Sequence, residues 1–188
     1  MNEIEKIKQE LRQKYIFIRS NVKNREDKSR IIIDKVKQDI DYQDAKVVAL
    51  YKSLPSEVDT TELIKYSIEI GKVVALPKVV NNELKFYKIN SSNDNFIKSK
   101  FGVEEPLGNN EDFISKNNID LVIVPGVCFD KEKNRLGFGK GYYDGFLKGT
   151  DLKTIAICFQ EQIIDDILPV TNDDIKVQKI ITDKEIYL

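Results

Sequence analysis

The chain predicts a three-layer α/β domain with a mostly parallel central sheet, on three observations. Short β-branched apolar runs alternate with stretches of helical periodicity. Those runs are apolar at consecutive positions, so both faces of each strand must be covered, as in a parallel sheet between helix layers. Finally, 188 residues with 41% hydrophobic composition suffice for one core, so residues 1 to 188 are expected to form a single domain.

From Asn2 to about Val22, Ile4, Ile7, Leu11, Tyr15, Ile18 and Val22 recur every three or four positions. That spacing predicts a helix with this stripe inward and its charged residues on the other faces. A second helix is expected from about Glu26 to Ile40, with Ile32, Val36 and Ile40 inward. KVVALY, from Lys46 to Tyr51, reads as a buried strand. Asp59 and Glu62 resemble a capping box opening a helix that runs to Ile70 and stops at Gly71. KVVALPKV, from Lys72 to Val79, is the next strand, and LKFYKI, from Leu84 to Ile89, alternates as a more exposed one. Asn90 to Asn118 reads mostly as loop. IDLVIVPG, from Ile119 to Gly126, is the clearest buried strand. A helix from about Gly141 to Lys148, a strand from Lys153 to Phe159, a short helix from Gln162 to Ile167 and a strand from Val177 to Thr182 complete the order.

Charge is balanced, with 32% charged residues and a formal net charge of -1, so no broad field attracts nucleic acid or an anionic membrane. No apolar run reaches the ~20 residues of a membrane span, and the first residues lack a signal-peptide block, which makes a cytoplasmic location the expectation. Cys128 and Cys158 sit among apolar residues and read as buried thiols, not as a disulfide or a metal site. Histidine is absent altogether, which excludes histidine acid–base catalysis and the usual zinc sites.

The most informative stretch is RLGFGKGYYDGFL, from Arg135 to Leu147. Alternate glycines allow positive φ and close approach, so that successive amides can converge on an anion at the start of a helix. Lys140 and Arg135 would add full charges, one as a point and one as a planar fork. The pattern matches neither standard nucleotide fingerprint, and a glycine-rich hairpin whose tyrosines pack the core is the competing reading. Asp144 suits a helix start by itself, and would suit Mg²⁺ if phosphates bind there. Lys8 and Arg12, one helical turn apart, read by periodicity alone as solvated.

PGVCFDKEKNRLGFGKGYYDGFL, from Pro125 to Leu147, resembles the signature of the 5-formyltetrahydrofolate cyclo-ligase family. KQELR from Lys8, YKSLPSEVDT from Tyr51, AICFQEQI from Ala156 and LPVTNDDIKV from Leu168 follow in the family's order. GVEEP, from Gly102, is the family-like part of the long loop. The resemblance implies a fold akin to sugar-phosphate isomerases and CoA transferases. It also implies a reaction: ring closure of 5-formyltetrahydrofolate to 5,10-methenyltetrahydrofolate, with ATP as co-substrate and Mg²⁺ as cofactor. By position, Lys8, Arg12 and the run Arg135, Gly137, Phe138, Gly139, Lys140, Gly141, Tyr142 and Tyr143 would bind ATP. Lys52, Glu57, Phe138, Lys140 and Tyr142 would bind the folate, Arg135, Lys140 and Tyr142 would act in catalysis, and Asp144 with Asp174 would hold the metal. The expected partners are these small molecules, with the chain a monomer or weak homodimer.

The implied chemistry accounts for the missing histidine. ATP phosphorylates the formyl oxygen, nitrogen 10 of the same folate attacks the resulting iminium phosphate, and phosphate leaves. Catalysis then reduces to positioning and charge neutralisation. Three departures from the family pattern stand out: Phe138 and Gly145 where arginine is frequent, and Asp173 before Asp174 where histidine is common. The rival readings are a phosphosugar isomerase or CoA-transferase-like enzyme, with Glu57 as base or nucleophile, and a non-catalytic nucleotide-binding module.

Overall fold

The computed structural model describes residues 3–92, 94, 96–99 and 102–188. The expected helix start at Asn2, and Asn93, Asn95, Lys100 and Phe101 of the expected loop, lie outside the described residues.

The central sheet has eight strands: β1 (Val47–Ala49), β2 (Val73–Val80), β3 (Glu83–Ile89), β6 (Phe113–Ile114), β7 (Leu121–Val124), β10 (Lys153–Ile157), β12 (Lys179–Ile181) and β13 (Ile186–Tyr187). Their order is β13-β12-β10-β7-β1-β2-β3-β6. The five from β12 to β2 run parallel, while β13, β3 and β6 add antiparallel edges. The mostly parallel sheet expected from consecutive apolar residues is therefore present.

Alternation within those strands divides the core. Val48, Leu50, Val74, Leu76, Leu121, Ile123, Ile155 and Ile157 face one layer, where Ile32, Ile33 and Val36 of α2 (Arg25–Gln38) and Leu63 and Ile64 of α4 (Thr61–Glu69) cover them. Ala49, Ala75 and Ala156 face the other, leaving room for Phe86, Phe129 and Phe146. The rings of Phe86 and Phe146 stand 4.8 Å apart. Each aliphatic side chain so buried stabilises the fold by roughly 1.5–3 kcal/mol before entropy is counted.

Several sequence expectations are corrected here. The second helix does not reach Ile40: Asp39 turns extended, accepts the Asp41 amide, and caps α3 (Ile40–Asp44), which leaves Ile40 61% exposed. Glu62 does not close a capping box, because its carboxylate is taken by Lys37. The strand from Leu84 to Ile89 is more buried than its alternation suggested. It folds back on β2 through Asn81 and Asn82, both at positive φ as in a tight hairpin, and buries Phe86, Tyr87 and Ile89. Pro77 is tolerated inside β2 because its β1 partner extends only to Ala75. No helix spans Gln162 to Ile167; a 3-10 turn (Gln160–Gln162) leads into β11 (Ile163–Ile164), and Ile167 is exposed. The long loop contains a small sheet, β4 (Phe96–Lys98) with β5 (Glu104–Pro106), besides the edge strand β6.

The largest correction concerns α1 (Glu3–Ser20). Ile4 and Ile7 of the predicted apolar stripe are exposed, whereas Lys8, Tyr15 and Arg19 are buried. The helix packs Tyr15 into a cluster with Cys128, Leu136 and Ile164 of a second, three-stranded sheet and with Val127 and Leu168 beside it. That sheet pairs β11 with β8 (Cys128–Asp130), and β8 with β9 (Arg135–Leu136). Cys128 and Cys158 are both free and buried, as expected. Among the described residues no helix is long and apolar enough to cross a membrane.

Candidate functional site

Strand β1 lies between β2 and β7, so the chain leaves its carboxyl end toward one side and leaves that of β7 toward the other. Such divergence opens a crevice beyond the sheet. Here it is a cleft of about 570 Å³, walled by Tyr51 and Glu57 after β1, Pro77 and Lys78 in β2, Pro125 and Gly126 after β7, and the glycine loop. Every residue expected to bind nucleotide, folate or metal lines it: Lys8, Arg12, Lys52, Glu57, Arg135, the run from Gly137 to Asp144, and Asp174. Those residues come from stretches as far apart as α1 and the segment before β12, so tertiary folding brings them together.

The glycine loop leaves a braced hairpin. Buried Asp130 accepts the amide and side-chain N–H of Asn134 and the amide of Leu168, fixing the turn between β8 and β9. Beyond β9, Arg12 Nε donates to the Gly137 carbonyl at 3.0 Å. Gly139 and Gly141 adopt φ of +88° and +66°, as an amide nest requires. A Cβ on Gly139 would lie 3.1 Å from the Arg12 guanidinium carbon, so this glycine also makes room for a cation. Helix α5 (Tyr142–Leu147) has only six residues, so its dipole contributes less to anion binding than the sequence suggested. Full charges dominate instead.

Three of those charges already have partners, and one of them, Arg12, lies 3.7 Å from Glu5. Lys8, 4% exposed, donates to Asp174 Oδ2 at 2.6 Å, and the same oxygen accepts the amide and hydroxyl of Thr171. Burial works against the Asp174 charge, but Lys8 and Thr171 outweigh it and hold the carboxyl below its usual range. Arg135 Nη2 donates to Asp144 Oδ2 at 2.8 Å, while Asp144 Oδ1 accepts the amide of Ile175. Lys140, by contrast, is exposed at the rim and, among the described residues, makes no hydrogen bond or ion pair. No group of three candidate metal-binding side chains gathers among the described residues. Asp144 and Asp174 nonetheless suit Mg²⁺ in kind, since that ion takes one or two carboxylates plus phosphate oxygens and water. Their cationic partners would have to turn to the phosphates.

At the cleft floor Glu57 is buried, with Oε1 accepting from Arg19 Nη1 at 3.1 Å and Oε2 from the Leu54 amide at 2.8 Å. Burial raises its carboxyl above the ordinary range, opposed by the Arg19 charge and the two hydrogen bonds. Tyr51 and Tyr143 lie in the same field, and burial raises both hydroxyls. Three buried polar atoms have no hydrogen-bond partner among the described residues: Arg19 Nε, Arg135 Nε and the Tyr143 hydroxyl. Orphaned donors of this kind are rare in folded proteins. At the other wall, Lys52 is paired with Glu104 and lies 3.8 Å from the Phe96 ring, tying the β4–β5 sheet to the cleft. Tyr142 reaches Asn82 at 3.4 Å. Phe138 is 53% exposed and covers Arg19, whose guanidinium carbon is 5.3 Å from the ring centre.

Sequence reading missed Arg19, Glu105 and Thr171. Arg19 follows Lys8 by eleven positions and Arg12 by seven, which is one helix face, so the spacing carried a signal that the isoleucine stripe obscured. Glu105 lines the cleft with its carboxyl raised by burial, and nothing in its local sequence distinguishes it from Glu104.

Comparison with known proteins bears on the family and the fold. Residues 4–183 match the model of the 5-formyltetrahydrofolate cyclo-ligase family. A 5-formyltetrahydrofolate cyclo-ligase of Mus musculus is 33% identical over 165 residues, which cover 81% of each chain. The solved structure of an Aquifex aeolicus 5,10-methenyltetrahydrofolate synthetase superposes with a TM-score of 0.83 at 34% identity, covering 96% of this chain and 91% of that one. A Mycoplasma pneumoniae 5,10-methenyltetrahydrofolate synthetase, 24% identical, shares the fold with a TM-score of 0.74 over 94% of this chain and 98% of its own.

Proposed function

Because the chain belongs to the 5-formyltetrahydrofolate cyclo-ligase family, we propose that it closes 5-formyltetrahydrofolate to 5,10-methenyltetrahydrofolate at this cleft, using ATP and Mg²⁺ and releasing ADP and phosphate. The observation that carries the reading is one crevice with cations and glycine amides on one wall and a buried, hydrogen-bonded carboxylate on its floor.

Lys8, Arg12, Arg135 and Lys140 would grip the phosphates. The Gly137 to Gly141 backbone follows them closely, because the glycines leave no side chain in the way. Glu57, with both oxygens already held, would accept paired hydrogen bonds from a pterin ring N–H and amino group. The exposed ring of Phe138 and the rings of Tyr142 and Tyr143 border the same space and provide flat surfaces for the folate. The formyl oxygen attacks the γ-phosphorus as ADP departs, nitrogen 10 attacks the activated carbon, and phosphate leaves with the former formyl oxygen as nitrogen 10 gives up its proton to that phosphate or to solvent. Neither nucleophile belongs to the protein. Its residues hold the two substrates in line and neutralise the moving charge, with Lys140 free to follow the transferred phosphoryl group. When bound at Asp144 and Asp174, Mg²⁺ would supply further charge neutralisation at the phosphates.

The test is ultraviolet absorbance of the methenyl product after mixing protein, 5-formyltetrahydrofolate, ATP and Mg²⁺. Product that forms only with ATP supports the reading. Folded protein that binds both substrates and forms none overturns it.

A further inference from the structure

Arg19 stands where three parts of the cleft meet. From α1, its Nη1 donates to Glu57 Oε1 at 3.1 Å and to the Gly126 carbonyl, just past β7, at 3.2 Å. Its guanidinium lies under the Phe138 ring of the glycine loop. It is 2% exposed, and its Nε is left without a partner. A buried cation with an unsatisfied donor is a poor way to stabilise a fold, since an apolar side chain of similar volume would avoid the desolvation. The anchoring of α1 does not depend on it either, because Tyr15 and its apolar neighbours supply that contact. The charge therefore serves Glu57.

We infer that Arg19 is a positioning residue for the folate: it holds the Glu57 carboxylate in place as a hydrogen-bond acceptor, without touching substrate. This rests on the reading that Glu57 receives the pterin. The groups that face Glu57 are Arg19 from α1, the Leu54 amide of its own loop, Tyr51 beyond β1, and Tyr143 of α5, with Arg135 behind the Tyr143 ring at 5.7 Å. Among them, Arg19 alone brings a positive charge into hydrogen-bond contact with the carboxylate. Without Arg19, the Leu54 amide remains to oppose burial at Glu57 while the positive charge is gone, so the carboxyl takes up a proton at higher pH and loses acceptor capacity.

The experiment is equilibrium binding of 5-formyltetrahydrofolate without nucleotide, across about pH 5 to pH 9, with thermal unfolding as a check on the fold. Glu57→Gln should weaken binding by about tenfold and flatten its pH dependence. Arg19→Met should weaken it by about tenfold near neutrality and move the pH of half-loss upward, and Arg19→Lys should return that midpoint toward the wild type. The double variant Arg19→Met/Glu57→Gln leaves no unpaired buried charge, so it remains informative where Arg19→Met alone does not fold. It should bind no worse than Glu57→Gln, because Arg19 acts through Glu57. If Glu57→Gln binds weakly while Arg19→Met keeps wild-type affinity and pH dependence, or if the double variant loses a further tenfold, the inference is overturned and the pterin reading stands. Wild-type affinity in Glu57→Gln overturns both.

Discussion

Lys8 Nζ donates to Asp174 Oδ2 at 2.6 Å across 166 positions of sequence, joining the first helix to the segment before the last parallel strand. The pair closes one end of the cleft and sets a proposed phosphate cation against a proposed metal carboxylate. Lys8→Met should therefore act twice. Turnover should fall by about two orders of magnitude, on the scale of losing a charge stabiliser, and stability by about 1.5–3 kcal/mol through the lost charged hydrogen bond. Steady-state kinetics and urea unfolding measure the two effects. Unchanged turnover would remove Lys8 from the phosphate site.

Gly139 combines positive φ with closeness to Arg12. An alanine there meets backbone strain of about 1 kcal/mol or more and pushes the guanidinium by a few tenths of an ångström. Gly139→Ala should raise the KM for ATP and lower kcat, with the folate KM less affected, because Arg12 would no longer brace the Gly137 carbonyl. A variant with wild-type kinetics for both substrates would contradict the cradle.

Glu57 has a signed consequence for stability. Its carboxyl is raised above the ordinary 4.5 by burial. Between that value and its folded value, the native state keeps a proton that the unfolded chain has released. Stability from this group therefore falls as pH rises through the window and is level above it. Urea unfolding at successive pH values, wild type minus Glu57→Gln, should show a declining difference. A difference that rises with pH would contradict the sign.

The two thiols should be inert in the folded state. Burial pushes Cys128 up to about 12, and raises Cys158 well above the ordinary thiol range as well. The thiolate is the reactive form, so labelling by a thiol reagent at mildly alkaline pH should be slow in native protein and complete in denaturant. Rapid native labelling of either cysteine would show that its surroundings open.

Much of the fold was legible because burial on both faces leaves a mark in consecutive residues. VVA, LVIV and KTIAI announced β1, β7 and β10, and each occupies the centre of the sheet. Edges were harder to read. Strands β6, β11 and β13 have two residues each, too few for any period to show. The glycine loop was legible as a local device, because positive φ and bare backbone are properties of glycine itself. Lys8 and Arg12 were not readable from periodicity, which assigned α1's charges to solvent. They became site candidates through family resemblance, and the structure turns them inward toward the loop and Asp174.

The sequence by itself determined the strand cores, the glycine loop, the absence of histidine chemistry and the family pattern, since each depends on residue type and local spacing. Tertiary structure decided which face of α1 turns inward, which carboxylate each cation meets, and that Arg19 lies beneath Phe138 against Glu57. The pairings made by α1 join residues far apart in the chain. They are fixed by how α1 docks on the small sheet, and docking follows the summed burial of many side chains, which no single segment encodes.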